Sequence, residues 1–485
     1  MRLSLWIGVL CAAILGFGLL SPAAAQTPPQ PHARLIVLSD IEADPDDTQS
    51  LIRLLLYANQ IDVEGLIATT SVHQKDRVAP ESIRSVIQTY GRVRPNLLLH
   101  EPGYPTAQAL EAVVDSGQPV YGMAGVGAGK DTPGSNRIIA ALERNDDRPL
   151  WVTVWGGPNT LAQALHTLRA TRTPAEVNRL IAKLRVYTIS DQDDSGPWMR
   201  QTFPDLFYIV SPGGYGAATW IGMSAVIDGQ DNATISNGWL ASNIQQGHGP
   251  LGAAYPDVAY GLEGDTPSYL GLIPNGLNAP EHPNWGGWGG RYELYTPELS
   301  AIDPDGFTGG VPVGLETRPI WTNASDRYTP MVARDHNLAT GPGDRTYSDA
   351  RVTIWRWRND FQNDFAARMD WTTQPFDAAN HPPVVALAHA DRLTVRSGDV
   401  VVLDALGTTD PDGDSLSYSW FQYPEAGSYR EAIELWGAPN LHRRGFAAPD
   451  VTEPQTAHFI LRVTDKGSPP LSRYQRVIVN ILPRS

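Results

Sequence analysis

The chain has 485 residues, 42% of them hydrophobic and 18% charged, enough apolar material to bury a full core, which excludes a disordered tail or a mini-protein. Its formal net charge is −15, from 37 Lys and Arg against 52 Asp and Glu, so no basic excess exists to neutralise nucleic acid or an anionic membrane. With 45 Gly and 40 Pro the chain is loop-rich yet globular, and its length predicts two or three domains.

Residues 1–25 read as a secretory signal peptide: Arg2, an apolar run over 5–20, and the small-residue cleavage pattern Ala23-Ala24-Ala25. The run is shorter than the roughly 20 residues of a membrane span. The expected product is secreted or periplasmic, soluble once the signal is removed, and free of thiols, because the single cysteine, Cys11, lies in the signal. Residues 26–33 are a Pro-rich leader expected to be disordered.

Residues 34–375 are expected to form an α/β domain. The run LIVLS at 35–39 has the continuous apolar character of a strand buried on both faces, and Leu51, Leu54, Leu55 and Ala58 follow at helical spacing. The alternation recurs with strands over 63–69 and 150–155 and helices over 81–90 and 160–170, and further buried strands are predicted over 184–189 and 206–210. Alternating strands and helices predict a mostly parallel sheet with ligands at the carboxyl ends of its strands. Residues 211–342 are Gly-, Pro- and Trp-rich loops, and 349–371 read as one long amphipathic helix closing the domain.

A linker over 376–383, containing Asn380-His381-Pro382-Pro383, predicts a first domain that folds without the second. Beyond it, residues 384–485 carry short alternating runs at 400–403, 416–421, 458–463 and 476–481, separated by turn clusters such as Asp410-Pro411-Asp412-Gly413-Asp414. This is the pattern of a small all-β, immunoglobulin-like sandwich. The stretch also resembles the polycystic-kidney-disease and cadherin-like modules of exported carbohydrate-active proteins. The DPDGD segment reads as a plain turn or as Ca²⁺ ligands.

Five acidic residues fall within eight positions, Asp40-Ile41-Glu42-Ala43-Asp44-Pro45-Asp46-Asp47, between a buried strand and a helix. Carboxylates so crowded raise one another's pKa unless a proton or a cation holds them together. Oxygen-only ligation suits Ca²⁺ or Mg²⁺, and irregular geometry favours Ca²⁺. By composition alone the loop reads equally as an acidic cap on a helix N-terminus. A second polar loop, Asp191-Gln192-Asp193-Asp194-Ser195-Gly196-Pro197-Trp198, follows another buried strand and is expected at the same sheet edge, as a sugar-binding loop or as a turn. Trp285 and Trp288 lie in a Gly-rich loop, where flat rings either stack on sugars or fill core space. His73, His248 and His282 are candidate acids or sugar contacts beside the more ordinary role of a hydrogen-bonded structural histidine. No G-x-S-x-G, H-E-x-x-H, P-loop or dinucleotide fingerprint stands at a useful place.

LIVLSDIEADPDDTQSL resembles the opening of nucleoside hydrolases, a strand followed by D-x-D-P-G-x-D-D and a helix. Asp40, Asp46 and Asp47 match the first and the paired last aspartates; Glu42 stands in place of the second, and Ala43-Asp44-Pro45 departs from the family's core. Trp155-Gly156-Gly157-Pro158-Asn159-Thr160-Leu161-Ala162 is similar to the family's G-P-L-T-N-L-A element, and Gly264-Asp265-Thr266-Pro267 to its late H-D-P, without the histidine. More specifically, GHGPLG, EGDTPSYL, PEHPNWGGWGGRYE and TIWRWRNDFQNDFAARMDW resemble the exported nucleoside hydrolase-like proteins described as cellulose-binding, which end in an immunoglobulin-like domain. That resemblance covers nearly the whole expected mature chain.

The resemblance implies a Ca²⁺ held by Glu42, Asp47, Asp265 and the Trp155 carbonyl, with Glu42 and Asp46 as catalytic residues: Glu42 takes a proton from water and Asp46 also binds sugar hydroxyls. Asp46, Asn159, Asp191, Asp193, Asp194, Trp198, His248, Trp285 and Trp288 are the expected substrate contacts. The expected function is a Ca²⁺-dependent glycosidase acting on a carbohydrate or nucleoside-like substrate; the rival is a polysaccharide-binding protein on a hydrolase fold.

Overall fold

The computed structural model describes residues 31–484 outside 213–215, 217, 229–231, 299–314, 335–338 and 344. The expected signal peptide and most of the leader lie outside the described residues. Ala33, assigned to the leader by sequence, already belongs to the first strand.

Eight strands, β1 (Ala33–Ser39), β2 (Ile61–Ala68), β3 (Val114–Ser116), β4 (Leu150–Val154), β5 (Leu184–Thr188), β6 (Phe207–Val210), β7 (Tyr292–Tyr295) and β8 (Ile320–Asn323), form one sheet in the order β3-β2-β1-β4-β5-β6-β8-β7. Every pairing is parallel except β7 with β8. Helices α1 (Asp46–Leu55), α2 (Pro80–His100), α3 (Ala107–Glu111), α4 (Pro133–Glu143), α5 (Asn159–Thr171), α6 (Pro174–Lys183) and α7 (Ser195–Thr202) connect the strands. The continuous apolar run of β1 is explained by two cores. Leu35 and Val37 enter the core beneath α1 and α2, while Ile36 and Leu38 enter the opposite one beneath α4 to α7. Each side chain fully buried this way contributes about 1.5–3 kcal/mol.

The strand order reverses between β1 and β4, because β1 proceeds outward to β2 and β3 whereas β4 leads to β5 and β6 on the other side. Loops at the carboxyl ends of β1 and β4 diverge there and leave a crevice. The acidic loop follows β1 and the Trp-Gly-Gly-Pro segment follows β4, so both sequence motifs meet at that crevice.

Two small hairpin pairings, β9 (Asp326–Tyr328) with β12 (Tyr347–Asp349) and β10 (Met331–Arg334) with β11 (Ala339–Pro342), precede the closing helices. The single helix expected over 349–371 is divided. A turn of helix at Val352–Trp355 is followed by a longer helix, Arg358–Asp370, which is buried around most of its circumference rather than on one stripe.

The C-terminal module comprises β13 (Arg392–Arg396), β14 (Val400–Asp404), β15 (Ser417–Gln422), β16 (Arg443–Ala447), β17 (Gln455–Thr464) and β18 (Ser472–Leu482), as a four-stranded sheet β13-β18-β17-β15 and a β14-β16 pair. Leu403 and Phe446 from the pair meet Phe459, Leu461, Val463, Val477 and Val479 from the larger sheet in one core. Phe446 stacks on Phe459 with ring centroids 4.4 Å apart.

The first domain, expected from the Pro-rich linker to fold without the second, shares a core with it. Tyr423, Ala426, Ile460 and Tyr474 of the C-terminal module belong to the core under α1 and α2. Polar residues of the 358–370 helix face the module: Asp360 bonds Arg462 and Tyr474, and Asp364 pairs with Arg473 at 2.5 Å. The backbone of β18 also bonds the loop 275–276, Tyr474 N to Asn275 O at 3.0 Å and Arg476 N to Gly276 O at 3.1 Å. Gly276 is required there: its φ is +83° and a Cβ would stand 1.9 Å from the Tyr474 carbonyl oxygen.

Candidate metal centre

Asp40 is the first residue after β1 and is buried. Its carbonyl accepts the Ala43 N–H at 2.9 Å, closing the turn that brings the chain to α1. Asp44 accepts the Asp46 N–H at 2.8 Å in an Asx turn that leads into that helix. Asp46 and Asp47 then occupy the first helical turn, where the helix dipole favours negative charge. Asp47 is fixed by the Ser39 hydroxyl, which donates to its Oδ1 at 2.5 Å.

Asp265 arrives from a segment more than 200 residues away, and carboxylate oxygens of Asp46, Asp47 and Asp265 lie within 4.8 Å of one another. Burial pushes the Asp40 carboxyl up to about 6, and burial with mutual repulsion raises Asp46, Asp47 and Asp265 well above the usual carboxylate range. Oδ2 of Asp265 is buried with no hydrogen-bond partner. An all-oxygen donor set, a surplus of negative charge and an orphaned carboxylate oxygen fit a hard divalent cation such as Ca²⁺.

Glycines let this cluster close. A Cβ on Gly156 would meet Asp40 Oδ1 at 2.6 Å, and one on Gly157 would meet Asp193 Oδ2 at 2.5 Å. The Trp-Gly-Gly-Pro motif therefore provides two side-chain-free positions against which acidic residues pack.

Several of the residues expected at the metal or substrate lie elsewhere. Glu42 stands at φ +81°, and its carboxylate bonds Arg77 and Ser82 on the surface, which lower its pKa; it is outside the cluster. The Trp155 carbonyl accepts the Gln192 side-chain amide at 2.7 Å. Asn159 is buried and donates to Thr70 Oγ1 and the Val120 carbonyl, as an internal strut between loops.

The second acidic loop is likewise committed to structure. Asp191 forms a buried bidentate pair with Arg200 at 2.9 and 2.7 Å. Asp193, pushed up to about 7 by burial, accepts the N–H groups of Ser195 at 2.7 Å and Asn159 at 3.2 Å, tying the starts of α7 and α5 together. Asp194 accepts the Met123 N–H at 2.7 Å, and Trp198 packs edge-on against Phe203.

Among the histidine and tryptophan candidates, His248 lies 3.0 Å from Asp370. Trp288 is fully buried against Phe361 and Tyr474, and Trp285 stacks on His282 at 3.9 Å beside the C-terminal module. The Gly-rich loop is anchored under that module because its aromatic area is worth more buried than in water.

The sequence reading missed Ser39, which fixes Asp47, and Gln74, whose amide donates to the carbonyls of Asp40 and Ile41 at 3.3 and 3.2 Å. It also missed Arg53 and Glu263, a buried pair holding the segment that carries Asp265. Ser39 was findable, since it is the last residue of β1 beside Asp40. The others lacked any local signal.

A parallel sheet whose switch-point crevice collects carboxylates from a D-x-E-x-D-P-D-D loop and a distant aspartate defines a nucleoside hydrolase-like fold. The chain belongs to the family described as "Cellulose-binding Sde182, nucleoside hydrolase-like domain", which matches residues 34–292. Residues 400–481 match "Cellulose-binding protein Sde0182, C-terminal domain". A solved structure from Saccharophagus degradans, a nucleoside hydrolase-related hypothetical protein associated with carbohydrate metabolism, is 35% identical, with a TM-score of 0.76 over 93% of this chain and 100% of its own. A PKD domain from KIAA 1837 protein is 19% identical over 20% of this chain and 91% of its own, with a TM-score of 0.16. The effector protein XOO4466 is 11% identical over 61% of this chain and 88% of its own, with a TM-score of 0.28. No curated protein matches significantly. Among the described residues, no helix is long and apolar enough to cross a membrane.

Proposed function

We propose that the protein is an exported, divalent-cation-dependent glycosidase acting on a carbohydrate or nucleoside-like substrate. The observation that carries this reading is the convergence of Asp46, Asp47 and Asp265 within 4.8 Å around an unpartnered Asp265 oxygen. These three would hold the cation, Ca²⁺ by its tolerance of irregular geometry. When bound, the cation would polarise and acidify a water molecule. Asp46 is largely buried but keeps some exposed surface, while Asp40, Asp47 and Asp265 are buried behind it, so Asp46 would be the carboxylate that water and sugar hydroxyls reach. It would orient the substrate and accept the proton that the attacking water loses. Asp40, packed on Gly156, supports the cluster from below. Export is supported by the apolar run over 5–20 and the Ala23-Ala24-Ala25 site.

A second reading, a polysaccharide-binding protein without turnover, is favoured by Glu42 being tied to Arg77 and Ser82. A release assay with Ca²⁺ over nucleosides, aryl furanosides and cellulose or hemicellulose oligosaccharides separates the two. Cleavage lost on Asp46→Asn supports the glycosidase, and binding of cello-oligosaccharides with no cleavage of any substrate supports the binding protein.

A further inference from the structure

A chain of hydrogen bonds crosses the seam between the two modules. His100 ends α2, His381 lies in the connecting segment, and Asp412 lies in the DPDGD turn of the C-terminal module. His100 Nε2 is 2.9 Å from the Gln374 carbonyl oxygen, which only accepts, so that nitrogen carries hydrogen. His100 Nδ1 is 2.9 Å from His381 Nε2, and His381 Nδ1 is 2.9 Å from Asp412 Oδ1. Asp412 Oδ2 also accepts the His381 backbone N–H at 2.6 Å.

A neutral imidazole has one N–H and one lone pair. With both rings neutral and Asp412 ionised, His100 donates from Nε2 and His381 from Nδ1, leaving two lone pairs facing each other across 2.9 Å. One additional proton turns that repulsive contact into a hydrogen bond. We propose that His100, His381 and Asp412 hold this proton in common and form a pH-sensitive lock between the α/β domain and the C-terminal module.

The shared proton lies between Nε2 of His381 and Nδ1 of His100, because the other ring nitrogens donate to Asp412 and to the Gln374 carbonyl. Burial lowers the proton affinity of His100, consistent with its acceptor role. The rings lie among aromatic faces that favour a cation: Trp371 stacks on His100 at 5.2 Å and 2°, and Phe376 on His381 at 3.9 Å and 17°. The other charged groups around the seam have positions of their own. Glu101 pairs with Arg368 at 3.3 Å, and Arg473 with Asp364. Asp465 accepts from Asn380, Asp410 accepts N–H groups of its own turn, and Asp377 faces solvent. Asp412 is thus the carboxylate that meets the histidine pair. Above the pH at which the pair loses its extra proton, the lone pairs oppose and the seam loosens.

The test is the melting temperature of the full chain and of Asp412→Asn between about pH 5 and pH 8, the range in which histidines titrate. Asn keeps an acceptor for the His381 ring but removes the counter-charge. The wild type is expected to melt several degrees above the variant at the acid end and to converge with it at the alkaline end. A gap constant across the range, or one that widens with pH, overturns the lock. Nitrogen-15 spectra of the histidine rings, assigned with His100→Gln and His381→Gln, give a second reading. One ring of the pair protonated on both nitrogens at neutral pH supports the proposal, and two neutral rings overturn it.

Discussion

Arg53 and Glu263 form a fully buried ion pair, Nε to Oε2 at 2.6 Å, that fastens the far end of α1 to the segment delivering Asp265. Glu263 also accepts from the Tyr255 hydroxyl at 2.5 Å and the Thr266 hydroxyl at 2.8 Å, and its backbone stands at φ +47°. The same helix begins with Asp46 and Asp47, so one rigid element fixes both sides of the acidic cluster. Arg53→Met leaves a buried carboxylate without its partner. A loss of about 3–5 kcal/mol is expected in urea unfolding. Ca²⁺ affinity measured calorimetrically should fall with it, and an unchanged affinity would show that the pair does not position Asp265.

A cation held by the cluster is expected to contribute stability by linkage, since the three carboxylates converge only in the folded chain. Chelation should lower the melting temperature, and Asp265→Asn should abolish the response to added Ca²⁺. The sign with pH follows from the raised carboxyls. The Asp40 carboxyl, pushed up to about 6 by burial, stabilises the cation-free fold while protonated, and that stability is lost as pH rises through about 6. Cation-induced stabilisation should therefore grow from about pH 4 to pH 7, as protons stop competing with the metal. Melting that ignores both chelator and pH in that window would remove the site.

Glu42→Gln and Asp46→Asn should separate. Glu42 is partly exposed and bonded to Arg77 and Ser82, so its substitution should change stability by less than about 1 kcal/mol and leave Ca²⁺ affinity intact. Asp46→Asn should reduce turnover of any cleaved substrate by roughly 10² to 10⁴. A Glu42→Gln protein that still folds but loses turnover would return the base role to Glu42.

Truncation after Thr373 should give an insoluble or partly unfolded product. It uncovers the core contacts of Tyr423, Ile460 and Tyr474 and strips Asp360 and Asp364 of Arg462 and Arg473. The apolar surface so uncovered costs about 25 cal/mol per Å² in water. A monomeric truncated protein with wild-type far-UV circular dichroism would contradict this.

Trp288→Ala should cost about 3–5 kcal/mol, as core tryptophan truncations do, with carbohydrate binding by the folded fraction unchanged. A stable variant with weakened binding would restore Trp288 as a sugar platform.

The strand and helix alternation around Leu35 to Leu38 was legible because burial on both faces leaves a continuous apolar run, and periodicity is a local property. The acidic loop was legible as well, since five carboxylates between a strand and a helix demand a counter-charge wherever the chain goes. Its location at the crevice followed from parallel topology. Tertiary structure alone decided which carboxylates converge. Asp265 joins Asp46 and Asp47 through the Arg53–Glu263 pair, whereas Glu42, two residues from Asp40, turns away at φ +81° toward Arg77. It also decided that Trp288 is core and that the 358–370 helix is buried, because a second module covers faces that sequence periodicity assigns to solvent. Periodicity records what one element can bury by itself. Direction at a turn and coverage by a distant segment are set by packing between residues that the sequence does not place side by side.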